Sequence, residues 1–307
     1  MTNAIETTGL TRRFGRVDAV EDVSLRVPSG GIFALVGPNG AGKTTTIKVL
    51  MNLIRPTRGT ASVLGIDSQR LDHVAFQRIG YVSENQKLPD HLTAAALLEY
   101  CRPFYPSWDD ELARRLQATL NLPMTGKLRT LSRGTRMKAA LLSALAYRPE
   151  LLVLDEPFSG LDPLVRDELI QALLELANDR DRPWTVFISS HDIEEVERLA
   201  DSVAFIDNGR VVLAEPVAQL LERFRLIEVI ASEDAASPAP LEHTWIAQGT
   251  AGRTLKFVDT NHASSDAGRR IAARYPRAEV RAHPMTLREI FVALARRSAR
   301  EGRGSTS

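Results

Sequence analysis

Two short stretches hold the residues best equipped for chemistry. Gly37-Pro38-Asn39-Gly40-Ala41-Gly42-Lys43-Thr44 fits the pattern G-x-x-x-x-G-K-[ST]. It stands between an apolar run and a helical stretch, which is the context that pattern requires. Gly40 and Gly42 let the backbone approach phosphate closely and aim N–H groups at it. The helix that follows turns its positive end toward the same oxygens. Lys43 would reach the β- and γ-phosphates, and the Thr44 hydroxyl would bind Mg²⁺. The second stretch, Leu151-Leu152-Val153-Leu154-Asp155-Glu156, reads as a buried strand ending in two carboxylates. Asp155 is placed to hold Mg²⁺ through water, and Glu156 to polarise an attacking water. An isolated Asp-Glu pair would be a solvated strand end. One that follows a phosphate loop by 112 residues (155 − 43) points to phosphoryl chemistry.

Three further motifs complete the pattern. Leu131-Ser132-Arg133-Gly134-Thr135 opens a helix just before the carboxylate strand. Pro157-Phe158-Ser159-Gly160-Leu161-Asp162 follows it, and Ser189-Ser190-His191-Asp192 comes after one more strand. In this order, over residues 3 to 220, the motifs resemble the nucleotide-binding subunit of an ABC transporter. The short segment between Glu84 and Leu131, the run Leu131-Ser132-Arg133-Gly134 and the ending Met285 to Leu294 look like its drug, antibiotic or lantibiotic exporter branch. The resemblance implies a phosphate-loop NTPase cassette that uses ATP and Mg²⁺. Two such subunits, as a homodimer or a heterodimer, would sandwich two ATP molecules head to tail. One chain would supply Gly37 to Thr45, and the other Ser132 and Gly134. Phe14 sits where the family stacks an aromatic ring on adenine. Glu84, in Ile79-Gly80-Tyr81-Val82-Ser83-Glu84, falls where many members carry glutamine, and would touch Mg²⁺ or its water. His191 matches the histidine that contacts the γ-phosphate, and Asp162 lies at the subunit seam. The chain departs from the family's usual LSGGQ at Arg133 and Thr135; Ser132 and Gly134 are kept.

The elements that must position these groups alternate between strands and helices. Residues 1 to 36 read as strands, ending in the apolar run Ile32 to Val36. Helical stretches are expected over 43–53, 94–100, 112–120 and 136–147, with strands at 59–64, 79–82, 151–154 and 184–188. Pro163 opens a further helix with Asp162 as its N-cap. Ile193, Val196 and Leu199 mark a short helix, and Asp207-Asn208-Gly209 a hairpin turn. The alternation predicts an α/β fold with a mostly parallel sheet. The expected division is a cassette over 1–224, with a helical subdomain at about 84–150, and a small C-terminal α+β appendage over 225–307. In that appendage 235–240 reads as a linker, 243–248 and 253–258 as strands, and 262–274 and 286–297 as helices.

Composition limits the possible functions. The 307 residues carry 39 basic and 38 acidic groups, so bulk charge does not make this chain a polyanion binder, and no nucleic-acid partner is expected. A single cysteine excludes a disulfide framework. The longest uncharged run, Val27 to Gly42, is too short and too broken to span a bilayer. The expectation is therefore a peripheral protein on the cytoplasmic face of the membrane, powering a separate transmembrane permease. The segment between Glu84 and Leu131 should contact that permease, with Tyr105 and Trp108 as aromatic anchors; ordinary packing is the other reading of these rings. Arg288, Arg296, Arg297, Arg300 and Arg303 make a basic C-terminal stretch, read as a solvated helix face and frayed tail, with weak attraction to anionic lipid headgroups as the other reading. The competing class is a stand-alone cytosolic ABC ATPase with a regulatory or nucleic-acid-linked role. The lack of a second cassette and of sustained heptads counts against it.

Overall fold

A computed structural model describes residues 2–177, 184–231, 244–251, 253–263, 266–276 and 278–304. The chain divides into two compact units, Met1–Ala214 and Glu215–Ser307. The boundary falls ten residues before the expected 224, because a short helix at 217–223 belongs to the second unit.

The first unit opens with two long strands, β1 (Asn3–Phe14) and β2 (Val17–Pro28), paired antiparallel. β3 (Gly31–Val36) leads through the glycine loop into α1 (Lys43–Leu50). Then come β4 (Arg58–Val63), β5 (Ile66–Asp67), α2 (His73–Phe76) and β6 (Ile79–Ser83). The chain is helical from there to the next strand: α3 (Ala94–Cys101), α4 (Asp110–Thr119) and α5 (Arg133–Leu145). β7 (Leu151–Asp155), α6 (Pro163–Ala177), β8 (Thr185–Ser190), α7 (Ile193–Leu199), β9 (Ser202–Asp207) and β10 (Arg210–Pro216) complete it.

Two sheets enclose the core. One has the order β2-β1-β4-β5, the other β10-β9-β3-β8-β7-β6. In the second, β9, β3, β8, β7 and β6 run parallel. Its central strands are buried on both faces, which is why β3, β7 and β8 read as unbroken apolar runs. Leu35, Val153 and Phe187 pack with Ile47 and Leu50 of α1 and with Ile5, Leu10 and Val23 of the antiparallel sheet. α1 is thus clamped, and the loop before it is held at the carboxyl ends of the parallel strands, where open α/β sheets bind ligands. Asn208 and Gly209, at φ 47° and 77°, make the two-residue turn into β10 that the sequence predicts.

The second unit contains α8 (Val217–Arg223), β11 (Arg225–Ala231), β12 (Trp245–Ala251), β13 (Thr254–Asp259), α9 (Ala267–Arg274), β14 (Ala278–Pro284) and α10 (Leu287–Gly304). Its antiparallel sheet has the order β12-β13-β11-β14. Ile227, Val229, Trp245, Phe257 and Ile271 form its core. β11, β14 and α8 are additions to the sequence reading, and the stretch 235–240 lies outside the described residues.

Candidate nucleotide site

The loop between β3 and α1 is shaped by three glycines. Gly40 and Gly42 adopt φ of 83° and 107°, a region open to glycine at little cost. A Cβ on Gly37 would lie 2.1 Å from the Ile206 carbonyl, and one on Gly42 would lie 2.5 Å from the Ala19 carbonyl. Neither position tolerates a side chain, so the loop is pinned between β9 and β2. The first amides of α1 have no acceptor within the helix and are free to meet an anion. Lys43 is buried, and its ammonium donates to the carbonyls of Gly37 at 2.6 Å and Pro38 at 3.1 Å. It also pairs with Glu156 Oε1 at 3.0 Å.

The two carboxylates at the end of β7 have different surroundings. Asp155 accepts from the hydroxyls of Ser189 at 2.8 Å and Thr44 at 3.0 Å. Burial pushes its carboxyl above the ordinary range; those two hydrogen bonds act against the rise, and the charge of Glu156 adds to it. Glu156 has φ 52°, strained for a residue with a side chain and worth roughly 1–3 kcal/mol. Its N–H donates to Ser189 Oγ at 3.0 Å, which fixes that backbone. The strain turns the carboxylate between Lys43 and His191, whose Nδ1 lies 2.7 Å from Oε2. Lys43, Thr44, Asp155, Glu156 and His191 therefore meet in one place. Thr44 and Asp155 offer hard oxygen donors suited to a divalent cation shared with phosphate. Such an ion needs only one or two protein ligands. Among the described residues, no cluster of three His, Cys, Asp or Glu could hold a metal ion on its own.

His191 is flanked by anchors. Ser190 Oγ donates to the buried Glu195 at 2.8 Å, and Arg166 of α6 reaches Glu195 and Asp192 at 3.2 and 3.3 Å. Ser189, Glu195 and Arg166 were not among the site residues expected from sequence. Ser189 offered a signal, a serine two places before the histidine at a strand end; Arg166 and Glu195 offered none.

The remaining expected residues form a second group. Ser132 is exposed and caps α5, its Oγ accepting from the Thr135 N–H at 3.1 Å. Gly134 sits against Val165 of α6, where a Cβ would come within 2.8 Å of Cγ1. Asp162 caps α6 through the Val165 N–H at 3.1 Å. Glu84 Oε1 accepts from Arg133 and Ser159. Phe14, at the end of β1, is 47% exposed, which excludes a core role; the Arg12 guanidinium lies 4.5 Å from its ring centre. Pro38, Asn39, Ala41 and Thr45 lie on the loop and the first turn of α1, as the motif requires.

Fold and site together define a phosphate-loop ATPase. The ABC transporter family profile matches residues 20–159. The bacitracin transport ATP-binding protein BcrA of Bacillus licheniformis is 34% identical over 230 residues, 73% of this chain and 74% of that protein. An uncharacterized ABC transporter ATP-binding protein of Synechocystis sp. is 34% identical over 222 residues, 70% of this chain and 61% of its own length. The chain thus spans less than two thirds of that relative. Among solved structures, an ATP-binding subunit of an ABC transporter superposes with a TM-score of 0.63 at 29% identity, covering 71% of this chain and 92% of that one. The chain belongs to the ABC transporter ATP-binding proteins. It is an ATP-binding, ATP-hydrolysing cassette.

Proposed function

We propose that this chain works with Mg²⁺ in a dimer of cassettes on the cytoplasmic face of a membrane, where it powers a separate permease in an exporter. The observation that carries this reading is an exposed aromatic pair on the helical part of the first unit. Tyr100 and Phe104 are 60% and 58% exposed, with ring centres 5.7 Å apart. Exposed aromatics of this kind favour a protein interface. They replace Tyr105 and Trp108 as the anchors. Tyr105 stacks on the buried Tyr147 at 3.7 Å, and Trp108 is half-buried with its ring N–H on Asp110, so both are packing residues. A groove of about 400 Å³ runs between residues 84–88 and the α5 side chains Arg133, Arg136 and Met137, wide enough for a partner's side chains. No helix among the described residues is long and apolar enough to cross a membrane.

The chemistry follows from the chain's own groups. Lys43 brings a charge-assisted contact to the transferring phosphate. Thr44 and Asp155 would hold Mg²⁺, which neutralises charge on the phosphate oxygens when bound. Glu156 orients the attacking water and takes its proton, and His191 fixes the direction of that carboxylate. Ser132, exposed at the positive end of α5, addresses the nucleotide of a second copy.

The test is co-expression with a candidate permease, followed by membrane fractionation and transport into inverted vesicles. Tyr100→Ser with Phe104→Ser should cut membrane recruitment at least about fivefold, the loss of two interface anchors, while nucleotide affinity holds. A wild-type chain that recruits to no permease would sink the reading.

A further inference from the structure

Glu84 and Arg133 are departures from the common family pattern, and in this structure they are partners. Arg133 Nη2 donates to Glu84 Oε1 at 2.5 Å, across 49 positions of sequence. Ser159 Oγ donates to the same oxygen at 2.9 Å. Gly160, at φ 66°, makes room for the arginine: a Cβ there would lie 2.9 Å from Arg133 Nη1. The guanidinium thus joins three segments: the one leaving β6, the start of α5, and the turn between β7 and α6. A cation in the first turn of a helix opposes the helix dipole, and Glu84 compensates for it. Glu84 is in turn tied to the catalytic strand, because its N–H donates to the Asp155 carbonyl at 2.9 Å. Glutamine at 84 would keep an acceptor for Ser159 but lose the charge that meets Arg133.

We propose that Glu84 and Arg133 act as one positioning unit. They form a charge latch that makes the segment leaving the nucleotide site and the Ser132 end of α5 move together. The state of one site then passes through its own chain to the site that Ser132 completes in a second copy. That last step rests on the dimer reading; the latch itself belongs to a single chain. Both side chains are partly exposed, Glu84 at 29% and Arg133 at 49%, so the pair adds little to global stability. It governs relative position instead.

Hydrogen exchange on the purified full chain without nucleotide tests the latch. Arg133→Gln should speed exchange about threefold or more in both 84–88 and 132–137, since local opening there loses its shared tie. Arg133→Lys should keep much of the protection. Glu84→Gln with Arg133→Gln should be no worse than the worse single variant, as two members of one pair require. In hydrolysis, Arg133→Gln should lower the Hill coefficient for ATP toward 1. Unchanged exchange in 84–88, or additive effects in the double variant, overturns the latch. A wild-type chain that binds ATP and stays monomeric overturns the dimer reading, while the exchange result still decides the latch.

Discussion

Glu195 lies buried behind the histidine loop, and burial pushes its carboxyl above the ordinary range. The Ser190 hydrogen bond and Arg166 oppose that rise, while Asp192 and Glu156 add to it. The folded chain therefore holds this proton to a higher pH than the unfolded chain does. Stability falls as pH rises from the ordinary glutamate range through the raised value, and the charged group costs stability above it. Glu195→Gln should remove that cost while Ser190 keeps its acceptor and Arg166 keeps Asp192. The variant should melt above wild type at pH 7, by ~2–4 °C for each kcal/mol relieved. The difference should close as pH falls below the ordinary glutamate range. Calorimetry from pH 4 to 8 checks it, and a lower melting point at pH 7 would show that the Arg166 pair outweighs burial. At this scale the sequence shows the reacting groups and hides their supports. Lys43, Asp155, Glu156 and His191 stand in motifs whose types and order name the chemistry. Glu195 and Arg166 are ordinary helix residues until the fold brings α6 beside α7. Glu84 and Arg133 each stood out as departures, but a contact across 49 residues is not written in either motif.

α5 and α6 show how tightly the elements carry the exposed end that holds Ser132. Gly134 packs on Val165, and the buried Lys138 pairs with Glu168 one turn further along each helix. Alanine at 134 would gain about 0.5–1 kcal/mol of helix propensity. It would also push a methyl to 2.8 Å from Val165 Cγ1, and overpacking of that kind costs roughly 1–3 kcal/mol. The second effect is larger, so Gly134→Ala should destabilise the chain, and adding Val165→Ala should restore most of the loss. Urea unfolding of the three variants checks this; additive losses would place the cause elsewhere. Element type was legible where burial and period agree. β3, β7 and β8 are apolar on both faces, and α6 begins at Pro163 behind its Asp162 cap. β14 escaped notice because it is an edge strand whose exposed residues mix charged and apolar types. Tyr105 and Tyr100 could not be told apart by type, since burial of a ring in a helical segment depends on what packs against it; here Tyr147 covers only Tyr105.

For the molecule as a whole, the first unit separates two halves of one reaction centre. Lys43 and its partners lie buried at the ends of β3 and β7, while Ser132 is exposed at the start of α5. A helix N-terminus aimed at solvent suits an anion that another molecule brings. In a symmetric head-to-tail pair, each nucleotide would then touch the phosphate loop of one chain and Ser132 of the other. The consequence can be counted. Lys43→Ala alone leaves both sites without their lysine, and Ser132→Arg alone leaves both sites obstructed, so each homodimer should be inactive. A heterodimer of the two variants puts both defects into one site and leaves the other intact. Mixed in equal amounts, half the dimers are heterodimers with one working site of two. Hydrolysis should recover to about a quarter of wild type if the sites turn over independently. Recovery well below that, with heterodimers shown by native mass spectrometry, means that one working site needs its neighbour. That is the outcome expected if the Glu84–Arg133 latch passes the state of one site to the other. No recovery when Arg133→Gln is also present in both chains and hydrolysis is otherwise detectable would argue that Ser132 acts within its own chain.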